Sequence, residues 1–322
     1  MKYGNERIGS VMYGNVKRDK EYTARLLDFV KQKYGLDISD ITPAKRGYYG
    51  ETWRLDNYFA KLDYSYHKEV YRKSIPVVEF MCDAGIDSIS RPVKSLEGHL
   101  CSDFEDAVLG LFYWIEGDNV QNYDSRTAEY RILSNVYSLP AGNLNIQRQR
   151  FDSSPADLFF ELWGKLSYAP LINVFKEYRA NLENCRERLV LSSHKCAEFN
   201  GHFYITHGDA GSNIIKGKEK YYLVDWDGAV IAPPERDAWF YMHLDGEIEK
   251  FNDELKRKGI NYAFRSERLA YACYRAYFEY LNNFMDTHFE IGNNAVRAES
   301  LKHDYFEGWL KPIVEFADKI IL

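Results

Sequence analysis

The pattern of this chain changes once, near residue 115, and that change limits the folds open to it. Before it, a helical stretch from Tyr22 to Tyr34 ends at Gly35, and short runs of aromatic and β-branched residues follow at 38–46, 51–55, 58–62, 88–93 and 107–114. Pro43 confines the first of these runs to a sheet edge, and Pro76 must sit in a first turn or break the helix read over 67–84. After it the periodicity is helical, over 125–139, 155–166, 171–192, 236–258, 266–287 and 298–320, with one extended interruption between Phe203 and Trp226. The polar stretch Gly117 to Tyr123 reads as the connector. The expectation is an α+β chain of two lobes, a sheet-plus-helix lobe over 1–115 and a mostly helical lobe over 116–322, because 322 residues exceed what one core usually holds.

Composition excludes several classes of function. No apolar run approaches the roughly 20 residues that span a bilayer, and the opening MKYGNERIGS has no apolar core, so no membrane partner and a cytoplasmic location are expected. The net charge of −6, without a long basic run, argues against nucleic acid and slightly favours a cationic ligand. The five cysteines are scattered and unpaired in spacing, which fits reduced structural thiols; His194, Cys196 and His202 lie close in sequence but lack a cysteine pair at zinc-ligand spacing.

The chemistry concentrates in the interruption, YITHGDAGSNIIKGKEKYYLVDWDGAVIAPPERD. Residues 213–216 and 222–225 read as two strands joined by the loop 217–221; folding them about Glu219 sets Asn213 opposite Asp225. Such a pair brings Cβ atoms to about 4.5–5.5 Å, near enough for an amide oxygen and a carboxylate to share a hard cation. Asp209 then overlooks the same end of the ribbon. Phosphoryl transfer needs this combination, since it depends on neutralising phosphate charge and placing a hydroxyl. Asn213 and Asp225 are the expected Mg2+ ligands and Asp209 the group that takes or orients the hydroxyl proton. Asp227 is read as a loop-capping residue and His207 as a structural one.

His207-Gly208-Asp209 with Asn213, then Asp225-Trp226-Asp227, then Glu235-Arg236-Asp237, resembles the aminoglycoside phosphotransferase and choline kinase superfamily. The layout, with KYGLDI near the start and YACYRAYFEYL late, is most similar to its spectinomycin-phosphorylating branch. The resemblance covers nearly the whole chain and implies a protein-kinase-like bilobal fold, ATP or GTP as phosphate donor, and a small hydroxylated acceptor, either an amine-bearing cation or a sugar. It assigns Asp209 as catalytic base, Asn213 and Asp225 as metal ligands, and His207 and Asp237 as supports. One departure is plain: many relatives place four residues between the aspartate and the asparagine, and this chain has the three of AGS.

A kinase-like first lobe further implies a strand lysine, here Lys61, paired with a helix glutamate, Glu69 in preference to Glu79. The turn holding Gly47 and Gly50 falls where a phosphate-covering loop belongs, and Phe112 and Tyr113, within Leu111 to Trp114, are where backbone groups would meet the base. Glu279 matches an acidic acceptor-side position, with Tyr271, Tyr274 and Tyr277 crowded around it. Two other readings compete: a catalytically inactive nucleotide-binding pseudokinase or assembly component, and a glycosyltransferase using DWD as its metal motif.

Overall fold

The computed structural model describes residues 18–43, 50–64, 67–142, 144–291 and 295–321. Helix α1 (Lys20–Tyr34) begins where the Asp19 side chain accepts the Tyr22 N–H at 2.7 Å and ends at Gly35, whose φ of 69° is open to glycine at low cost. Strands β1 (Ile41–Pro43), β2 (Gly50–Leu55) and β3 (Tyr58–Asp63) form an antiparallel run. Helix α2 (His67–Asp83) follows, then β4 (Pro92–Val93), β5 (Cys101–Phe104) and β6 (Ala107–Tyr113). The six strands make one sheet in the order β1-β2-β3-β6-β4, with β5 also on β6, and β1 lies at the edge as Pro43 requires. Helix α2 runs through Pro76, so the break expected there does not occur. The strand expected at 88–93 shrinks to two residues, and β5 was not anticipated.

The alternation along β6 separates two cores. Ala107, Leu109 and Leu111 pack with Tyr22, Leu26, Val30 and Tyr34 of α1, while Val108 packs with Tyr71 and Ile75 of α2, with Phe112 against them. On β3, Ala60 and Leu62 face α1, which puts Lys61 on the α2 side, opposite Gly110 of β6 in the ladder. Gly110 has to be glycine: a Cβ there would lie 2.3 Å from the Tyr71 hydroxyl and 2.9 Å from Ile75 Cδ1.

Strand β7 (Gly117–Asn119) occupies the expected connector and pairs with β9 (Ile214–Gly217), which pairs in turn with β10 (Tyr221–Leu223). Helix α3 (Tyr123–Tyr137) packs on β8 (Tyr204–Thr206) and on the β9-β10 hairpin. Through these links the described residues up to Gln147 group with Tyr204–Ile231 in one compact unit.

The second unit, Arg148–Phe203 with Ala232–Leu322, is helical. It contains α4 (Ser154–Lys165), α5 (Ala169–Glu177), α6 (Arg179–Ala197), α7 (Glu235–Ala238), α8 (Glu247–Arg257), α9 (Ser266–Ile291), α10 (Ala295–Ser300) and α11 (Leu310–Ile321), with a π-helical turn over Leu301–Trp309. The stretch expected as one helix over 171–192 is two, meeting at Tyr178, and that over 236–258 is split between α7 and α8. Helix α9 is the centre, contacted by α4, α6 and α11, and among the described residues no helix is long and apolar enough to cross a membrane.

Replacing Gly110 by alanine drives a methyl group into the buried Tyr71 ring and Ile75. We expect a loss of about 1–3 kcal/mol in urea unfolding, the usual cost of overpacking.

Candidate active site

Four chain segments of the sheet-bearing unit converge on one cluster. Strand β8 leads into His207, Gly208 and Asp209; Gly208 takes a φ of 88°, which turns the chain sharply without steric cost. His207 is fully buried, with its Nε2 2.8 Å from the Val224 carbonyl oxygen, and its Nδ1 accepts the Asp209 N–H at 3.2 Å. With Nδ1 an acceptor, Nε2 carries the hydrogen and donates, so His207 is held as one neutral tautomer joining the Asp209 loop to the end of β10. The Trp226 ring packs on it at 4.6 Å.

The short AGS turn then brings Asn213 back onto the aspartate. Its Nδ2 donates to the Asp209 carbonyl oxygen at 2.6 Å and approaches the Asp209 carboxylate at 3.4 Å. This use of the amide hydrogens presents Oδ1 as the side chain's acceptor. The three-residue spacing therefore keeps Asp209 and Asn213 in contact.

The hairpin register departs from expectation by one residue. Leu223 pairs with Ile214, and Val224, not Asp225, faces Asn213, donating its N–H to the Asn213 carbonyl at 3.0 Å. The turn is tighter than a five-residue loop: Gly217 donates to the Lys220 carbonyl at 2.9 Å. A slip of one residue would normally turn a side chain to the other face. Asp225 escapes that rule because it has left the strand, with φ 67° and ψ 56°, and begins a 3-10 turn over Trp226–Gly228. Here the left-handed conformation belongs to a non-glycine residue, of a type that tolerates it better than most.

Lys61 reaches this turn from β3. Its ammonium lies 2.6 Å from Asp225 Oδ1 and is paired also with Asp227 Oδ2, joining residues 164 apart in sequence. Burial pulls the Lys61 pKa down, but Asp225 and Asp227 outweigh it and hold the amine charged, above its ordinary value. Burial likewise pushes Asp225 up, and the charge and hydrogen bond of Lys61 reverse this to leave it below the usual carboxylate range. Asp227 ends raised: burial and the Asp225 charge together outweigh its share of the ammonium. Nearby Asp63 is buried and pushed up to about 7, by burial first and by Asp227 second. His67, 3.9 Å from it, is pushed down to about 4 by burial and then by Lys61, so it is neutral at pH 7.

The structure thus pairs Asp209 with Asn213 and Lys61 with Asp225. Glu69 does not pair with Lys61: it lies in the first turn of α2, 74% exposed, and pairs with Arg72 at 3.5 Å. Glu79 is held by Lys94 at 2.8 Å. Gly47 falls outside the described residues. Gly50 is required by packing, since a Cβ there would stand 2.3 Å from the Leu62 carbonyl oxygen. The backbone of Phe112 is in the sheet, opposite Phe59 and Pro92. The Tyr113 backbone N–H donates to the Arg91 carbonyl at 3.1 Å, and its carbonyl accepts from Ser90 Oγ at 2.8 Å. In the helical unit Glu279 is paired with Arg275 one turn away, at 2.8 Å. Tyr271, Tyr274 and Tyr277 are core residues, with hydroxyls bonded to Arg150 and Asp152, to Asp318 and to Asn181. In the ERD stretch the carboxylate of Glu235 is the one bound to Arg268, at 3.0 Å.

Asp227 is the residue the sequence reading undervalued; its place two positions after Asp225 was the available signal. Among the described residues no group of three or more His, Cys, Asp or Glu side chains stands in metal-binding arrangement. The carboxylate of Asp225 and the amide of Asn213 offer oxygen, the donor type preferred by hard divalent cations.

No family model matches the sequence, and a search of the curated proteins found no match to it. Solved structures do share the fold. A spectinomycin phosphotransferase in complex with ADP and spectinomycin superposes with a TM-score of 0.70 at 17% identity, over 92% of this chain and 98% of that one. A choline kinase from Streptococcus pneumoniae gives 0.61 at 14% identity, over 93% and 100%. An aminoglycoside phosphotransferase from Alicyclobacillus acidocaldarius gives 0.56 at 13% identity, over 96% and 97%.

His207→Ala removes the link between the Asp209 loop and Val224. We expect a loss of roughly 1–3 kcal/mol in urea unfolding, the cost of leaving a buried polar group without its partner.

Proposed function

We propose that this chain is a small-molecule kinase that transfers the terminal phosphate of ATP or GTP to a hydroxyl of an aminoglycoside-like, amino-alcohol or sugar acceptor. The observation that carries the proposal is the contact of Asp209 with Asn213 and of Lys61 with Asp225, in a chain that shares its fold with a phosphotransferase solved with ADP.

Each residue has a task that follows from its surroundings. Asp209, fixed by the His207 and Asn213 bonds, accepts the acceptor hydroxyl proton and aims its oxygen at the phosphorus. Lys61, charged throughout the neutral range, binds phosphate oxygens. Asp225, ionised and half-exposed, and Asn213, through its amide oxygen, would hold Mg2+, which when bound neutralises charge on the donor phosphates. The acidic net charge of the chain suits an amine-bearing acceptor.

A labelled-nucleotide screen of aminoglycosides, spectinomycin, choline, ethanolamine and sugars tests the proposal. Turnover of at least one acceptor is expected, and Asp209→Asn should cut it by roughly 10²–10⁴-fold with nucleotide binding retained. Undiminished phosphorylation by that variant removes Asp209 from the reaction. Nucleotide binding without turnover of any acceptor supports the inactive reading instead.

A further inference from the structure

We propose that Asp227, and not a glutamate of helix α2, is the residue that positions Lys61 for the nucleotide phosphates. The inference rests on the kinase reading and adds a positioning residue to it.

Three observations lead to this. First, among the described residues the ion-pair partners of Lys61 are Asp225 and Asp227. Second, both α2 carboxylates at the expected positions are spent elsewhere, Glu69 on Arg72 in solvent and Glu79 on Lys94 and Arg91. Third, the α2 face turned to Lys61 carries a fully buried aromatic ring: Tyr71 lies 5.8 Å from the ammonium and fills the space left by Gly110, the cross-strand partner of Lys61. On the α2 side the ammonium thus meets a ring rather than a carboxylate.

Charge separates the two aspartates. Asp225 is the more exposed of them, at 46% against 23% for Asp227, and it is the one proposed to bind the cation. A carboxylate shared by a divalent cation and an ammonium sets two positive charges against each other. Asp227 gives Lys61 an anionic partner that it would keep with Asp225 holding the cation. Tyr71 contributes a ring face and no competing charge.

The test uses the full chain with Lys61→Met, Asp227→Asn, the double variant and Glu69→Gln. Calorimetry reads magnesium–ATP binding, and urea unfolding without metal reads the coupling of the pair. If Asp227 acts through Lys61, Asp227→Asn weakens ATP binding about tenfold, and the double variant binds no more weakly than Lys61→Met alone. Glu69→Gln binds as the native chain does. Asp227→Glu, which keeps the charge, restores part of the loss and stands in if the asparagine variant does not fold. In kinetics the nucleotide KM rises while the acceptor KM is unchanged.

Independent losses in the two single variants, an unfolding cycle with no coupling, or a shifted magnesium titration for Asp227→Asn in the Lys61→Met background each overturn the inference; the last makes Asp227 a metal ligand. Loss on Glu69→Gln as large as on Lys61→Met overturns it in favour of the helix. Failure of the native chain to bind either ATP or GTP is a different result, which removes the kinase reading itself.

Discussion

One lysine ammonium between two carboxylates organises this site. Lys61 comes from the second strand of a hairpin, and Asp225 and Asp227 from a turn 164 residues later, so the contact closes a long loop of chain. Removing Lys61 leaves two carboxylates in a partly buried place without their counter-charge, which costs more than the pair itself is worth. The two carboxylates move in opposite directions in acidity while sharing one cation, as a close like-charged pair does. The cluster is therefore organised around a single positive charge that both carboxylates share.

The surrounding fold holds these three groups from several directions. The β9-β10 hairpin is anchored on one edge by β7, and from the sheet side by the Ser88 carbonyl, which accepts the Leu223 N–H at 2.9 Å. His207 ties the Asp209 loop to the same hairpin. Backbone hydrogen bonds, rather than side-chain pairs alone, thus fix where Asp209, Asn213 and Asp225 emerge. Side chains held on such a frame lose little further freedom when a ligand arrives, which lowers the cost of binding.

Much of this was legible in the sequence because it rests on local pattern. The change of period near residue 115, the glycine after α1, the edge position of Pro43 and the acid-rich interruption all follow from short-range chemistry. What was not legible depends on long-range choices. The split at Tyr178 and the helix continuing through Pro76 were settled by tertiary packing. The connector became β7 because its partner strand lies about a hundred residues away in sequence. Glu69 failed as a partner because periodicity places a residue on a helix without saying which face meets a given lysine. The hairpin register failed by one because symmetry about Glu219 ignored how tightly Gly217 closes the turn. The expected convergence of Asn213 and Asp225 rested on that ladder, and the chain reaches Asp225 by a different route.

That route has its own meaning. Asp225 occupies backbone space where most side chains crowd their own carbonyl, and where asparagine is the other residue commonly at ease. An amide there would keep the turn and give up only the charge, whereas a branched or aliphatic residue would disturb both. The conformation thus narrows the substitutions open to this lineage: the easiest single step that preserves the shape of the loop is the one that silences its electrostatics.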